Sequence, residues 1–71
     1  MMEYTITLLF DDEVQKWYAQ NDEIPINLED FSLDTLISRV KMAVPEMLEI
    51  NNLPQNEIYL VFKMEPQAVL V

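Results

Sequence analysis

Tyr4, Ile6, Leu8 and Phe10 alternate with Thr5, Thr7 and Leu9, a period of two that predicts a β-strand with one strongly apolar face. Asp11-Asp12-Glu13 marks a turn, and Val14 to Gln20, with Trp17, Tyr18 and Ala19, predicts a second strand returning as a hairpin. Asn21-Asp22-Glu23 ends that strand. In Ile24-Pro25-Ile26 the proline disfavours helical backbone in the residue before it, so a short third strand is expected from Ile24 to about Glu29. The period then changes: Leu33, Leu36, Ile37, Val40, Val44, Met47 and Leu48 recur at steps of three and four, predicting a helix from Leu33 to Ile50. Ser32 is its natural N-cap, and Asp34 complements the positive end of the helix dipole.

Pro45 falls inside this helix, where it removes a hydrogen bond to the Lys41 carbonyl. It shares the polar face with Asp34, Ser38, Lys41 and Glu49, so the freed carbonyl faces water and the helix is expected to curve rather than break. Asn51-Asn52-Leu53-Pro54 closes the helix. Glu57 to Glu65 predicts the last strand, with Ile58, Leu60, Phe62 and Met64 on one face and Tyr59, Val61 and Lys63 on the other. The order β-β-β-α-β makes the first three strands an antiparallel meander and returns the fourth parallel to the first. The fold class is therefore α+β: a four-stranded mixed sheet in the order 3-2-1-4, with one helix packed on one face. Residues 1–65 form a single domain and 66–71 a short apolar tail. One helix covers one face, leaving Thr5, Thr7, Leu9, Tyr59 and Val61 for an open face and predicting association.

Composition narrows the chemistry. The chain has 71 residues and contains no histidine, cysteine or glycine. It therefore lacks a neutral-pH proton shuttle, a thiolate nucleophile, a soft metal site and a phosphate-cradling loop. A non-catalytic role without a cofactor is expected. Apolar residues make up 51% of the chain, more than one thin core hides, which favours a dimer or a heteromeric interface. No apolar run approaches a membrane span and no basic leader precedes one, so a cytoplasmic protein is expected.

Net charge is −9. Residues 1–34 hold nine acids against Lys16, a net of −8, and the remainder nets −1. Such a surface repels phosphate backbones, which argues against direct nucleic-acid binding and for a basic protein partner. The topology is expected to gather Asp11, Asp12, Glu13, Glu29, Asp30 and Asp34 at one end of the sheet, with Asp22 and Glu23 at the other.

The order of certain residues adds a family. A hairpin whose second strand carries Trp17-Tyr18-Ala19, then Asp22-Glu23-Ile24-Pro25, then Phe31-Ser32-Leu33 opening a helix that ends in Val44-Pro45-Glu46-Met47-Leu48-Glu49, resembles the HicB-like antitoxin family. Within it, the likeness is to a small branch without a DNA-binding module, and it covers about Thr5 to Val61. The resemblance implies a partial ribonuclease-H-like fold and a domain that covers a small basic RNA-cleaving toxin of the HicA type. Ile26 stands where the family usually has glycine after the proline, and no helix-turn-helix or ribbon-helix-helix module follows within this sequence.

Candidate partner-binding residues are the acids Asp11, Asp12, Glu13, Glu29 and Asp30, which would steer a basic partner, together with Trp17 and Tyr18, of which one faces the helix and the other the open face. Asp11, Asp12 and Glu13 also suggest a remnant of a two-metal carboxylate site, but consecutive turn residues diverge, so solvated acids are the expected role. Met42, Met47 and Met64 are expected to fill the core. Two other functions remain: a homo-oligomeric structural or regulatory module that uses the open face and the tail, and an acidic mimic of nucleic acid.

Overall fold

The computed structural model describes residues 2–54 and 57–64. Four strands and one helix follow one another: β1 (Met2–Asp11), β2 (Lys16–Asn21), β3 (Ile26–Asp30), α1 (Leu33–Ile50) and β4 (Ile58–Met64). The sheet order is β3-β2-β1-β4, with β1–β2 and β2–β3 antiparallel and β4 parallel to β1. This is the expected α+β arrangement, and the register shows why the alternation in β1 set it. Tyr4, Ile6 and Leu8 pair with Leu60, Phe62 and Met64 on one side, and Leu8 pairs with Ala19 on the other. Ala19 in turn pairs with Leu28. These apolar rows thus fall on the face that receives the helix.

Leu36, Val40, Val44 and Leu48 form the buried stripe of α1, each fully buried, and they meet Tyr4, Ile6, Leu8, Ala19, Ile24 and Ile26. The helix lies over β2 and β3. Toward β4 its cover thins, and Ile58, Leu60 and Phe62 are only half-buried. A groove of about 340 Å³ opens there between Val44 and Pro45 of the helix and Ile58, Leu60 and Phe62 of the strand. Pro45 lies within a continuous 18-residue helix on its exposed side, which leaves the core stripe undisturbed.

Helix ends are closed by side chains and by one unusual backbone. The Ser32 hydroxyl accepts from the Thr35 amide at 3.3 Å, and the Asp30 carboxylate accepts from the Ser32 amide at 2.9 Å. At the other end the amide of Asn52 donates to the Glu49 carbonyl, and that of Leu53 to the Leu48 carbonyl. This pair of bonds is a Schellman closure, and it requires a left-handed residue after the C-cap; Asn52 supplies it with φ of 56°. In a chain without glycine, asparagine is the residue best suited to the position.

Four boundaries differ from the periodicity, among them the start of β4, which is Ile58 rather than Glu57. Strand β2 begins at Lys16 rather than Val14, because the turn extends to Gln15, whose φ of 56° takes it out of the strand. Val14 is consequently exposed. Strand β3 begins at Ile26 rather than Ile24. The Asn21 Oδ1 accepts from the amides of Glu23 and Ile24, each at 2.7 Å, and the amide of Ile26 donates back to the Ile24 carbonyl across Pro25, also at 2.7 Å. That turn still drives the Ile24 side chain into the core, 1% exposed. Strand β1 continues through Asp11. Of the methionines expected inside, Met47 packs against the core, whereas Met42 on the outer helix face and Met64 beyond the helix's reach are 78% and 52% exposed. The expected final strand residue Glu65 and the 66–71 tail lie outside the described residues.

Candidate functional site

Both β1 and β3 end on the side of the sheet where α1 begins, so Asp11, Asp12, Glu13, Glu29, Asp30 and Asp34 share one end of the molecule. Two cations are built into this group. Lys16, opposite Asp11, reaches Glu29 at 3.2 Å. Arg39, from the second turn of α1, donates to the Glu29 carbonyl at 2.8 Å and to Asp30 at 3.3 Å, tying helix to strand. Asp11 accepts from the Glu13 amide at 2.9 Å and thereby shapes the hairpin turn. Asp12, Glu13 and Asp34 make no side-chain hydrogen bond or ion pair among the described residues, and they are the carboxylates most available to a partner.

The aromatic residues divide as the alternation requires. Trp17 turns to the helix face, with its ring centroid 4.9 Å from that of Phe10, and Tyr18 lies on the open face between Leu9 and Glu29. Both are half-buried, so each packs against the sheet while keeping an accessible edge. Phe31, part of the Phe31-Ser32-Leu33 segment, is not among the partner-binding residues expected from the sequence. It is 69% exposed, between the end of β3 and the helix cap, and Lys16 sits 5.0 Å above its ring. Its signal was positional: an aromatic ring between Asp30 and Ser32 belongs to neither the strand nor the helix stripe. Phe31 and Val14 thus give the acidic end an apolar surface.

The acidity has a second pole. Glu3, Asp22, Glu23, Glu46, Glu49 and Glu57 fall at the opposite end by the directions of their elements, where neither Lys16 nor Arg39 reaches. The asymmetry of charge along the sequence therefore does not become an asymmetry in space, because the helix and β4 carry later acids back to the end where β1 starts. Among the described residues no three acids converge as a metal site would need. No helix among them is long and apolar enough to cross a membrane.

An α+β domain with one helix on a 3-2-1-4 sheet, an open opposite face and an acidic, aromatic-bearing end defines an architecture rather than an activity. The chain belongs to the family described as Domain of unknown function (DUF1902), which it matches over residues 3–70. It is similar in structure to the hypothetical protein TTHA1013 from the extremely thermophilic bacterium Thermus thermophilus, known from its crystal structure. That similarity has a TM-score of 0.82 and 26% identity, over 96% of this chain and 99% of that one. No curated protein matches it significantly.

Proposed function

We propose that this chain is a non-catalytic, protein-binding domain of the HicB-like antitoxin kind, which neutralises a small basic RNA-cleaving protein in the cytoplasm. The observation that carries the proposal is one end of the sheet, which bears six carboxylates, only two of them paired with cations, together with the exposed ring of Phe31. Carboxylates draw a Lys/Arg-rich surface from a distance, and an exposed aromatic ring holds it on contact. The strand order and the position of the helix agree with the fold that the Trp17-Tyr18-Ala19 and Val44-Pro45-Glu46 segments suggest. A nucleic-acid mimic needs carboxylates in regular rows, whereas here they gather at two ends of an otherwise mixed surface.

The test is titration of the chain against a basic RNA-cleaving protein of the HicA type encoded beside it, following RNA hydrolysis and association kinetics. Inhibition should be stoichiometric, and the on-rate should fall as salt rises. Asp12→Lys combined with Glu13→Lys should slow association about tenfold. Full ribonuclease activity in the presence of excess chain would refute the reading.

A further inference from the structure

The two edges of the sheet differ in charge. At one edge β3 carries Glu29 and Asp30, already engaged by Lys16 and Arg39. At the other edge β4, Ile58–Met64, contains no acid, and its single charge is Lys63. Lys41 stands beside it on the rim of the groove. On a chain of net charge −9, β4 is the strand that a second copy approaches with least repulsion.

Its backbone is also ready for a neighbour. Met2 donates its amide to the Glu57 carbonyl at 2.9 Å and registers with Ile58. In a parallel ladder this phase turns the N–H and C=O groups of Tyr59, Val61 and Lys63 toward β1. Those of Ile58, Leu60 and Phe62 then point to the open edge. Such an edge is a template for another strand. The side chains follow the same division: Ile58, Leu60 and Phe62 are half-covered along the groove, and Tyr59 and Val61 are exposed on the open face.

We propose that β4 is the interface of a twofold homodimer, in which a second copy adds its own β4 antiparallel to this one about an axis at Leu60. In this register Ile58, Leu60 and Phe62 of each chain exchange both backbone bonds across the seam, making one continuous eight-stranded sheet from two four-stranded ones. Leu60 meets its own counterpart, and Ile58 meets Phe62 of the second copy, so each groove beside Val44 and Pro45 receives apolar side chains. Tyr59 lies opposite Val61 of the second copy, an aromatic and β-branched pair of the kind that stabilises sheets. Lys63 lies opposite Glu57 of the second copy, and this happens twice by symmetry. Neither side chain has a hydrogen-bonded or ionic partner among the described residues. A shift of two residues in either direction loses both of these pairings, so charge selects the register. The interface uses the edge opposite β3 and leaves Asp12, Glu13 and Phe31 free for a basic partner.

Sedimentation of the full chain at about 10 to 100 µM reads the dimer directly, since its population depends on concentration. Glu57→Lys and Lys63→Glu are both changes at exposed positions, and each sets like charges opposite one another. Each alone should raise the dissociation constant roughly tenfold, and the double swap should restore it. A monomer across this range overturns the proposal. So does a dimer whose affinity is unmoved by either single change, or one that the double swap fails to rescue.

Discussion

Asn52 and Asn21 show how single side chains hold this glycine-free chain in place. Asn52 occupies a left-handed backbone position that closes the helix. Asn52→Gly should therefore raise stability by roughly 0.5–1 kcal/mol, and Asn52→Ala should lower it by about 1 kcal/mol, both read by thermal unfolding. Asn21 donates to the Thr5 carbonyl at 2.7 Å, continuing the β1–β2 contact past the last ladder pair, while its Oδ1 closes the turn to Ile24. Asn21→Ala removes all three bonds, and a loss of about 1–3 kcal/mol in denaturant unfolding is expected. The sequence pattern marked Asn21 and Asn52 as element ends. Their bonds were not legible there, because they depend on which carbonyls and amides the fold brings within reach.

At the scale of elements, periodicity identified every strand and the helix, and the helix bounds agreed because Ser32 and Asn51-Asn52 punctuate the apolar stripe at both ends. The misplaced starts of β2 and β3 share one cause. Val14 and Ile24 are β-branched residues beside strands, and hydrophobicity alone does not distinguish a strand residue from one held in a turn. Gln15 leaves the ladder through its left-handed backbone, and Ile24 through the Asn21 side chain. The candidate site was partly legible: the ends of β1 and β3 were expected together and are together. The engagement of Glu29 and Asp30 by Lys16 and Arg39 required the helix position, and Phe31 required knowing that no element covers it. Pro45 gives the prediction at this scale. It interrupts a continuous helix on the exposed side, so Pro45→Ala should restore a backbone bond to Lys41 and raise stability by about 1–3 kcal/mol, measured by denaturant midpoint at unchanged slope.

For the whole molecule, charge and apolar surface divide the labour. Acids occupy both ends, the end at Asp12 and Glu13 adds an exposed ring, and the acid-free strand β4 lies along one edge. The basic partner and the second copy proposed above would therefore bind at separate places, and occupation of one would leave the other accessible. Capture of a basic ribonuclease by the acidic end, as proposed, is tested by a pull-down of the tagged full chain from an extract of its native cells at low salt. What elutes at high salt is identified by mass spectrometry and assayed for RNA cleavage with and without added chain. The expected result is a small basic protein that cleaves RNA when released and stops when the chain is returned. Recovery of only the chain itself, or of a partner whose RNA cleavage the chain leaves untouched, would contradict it.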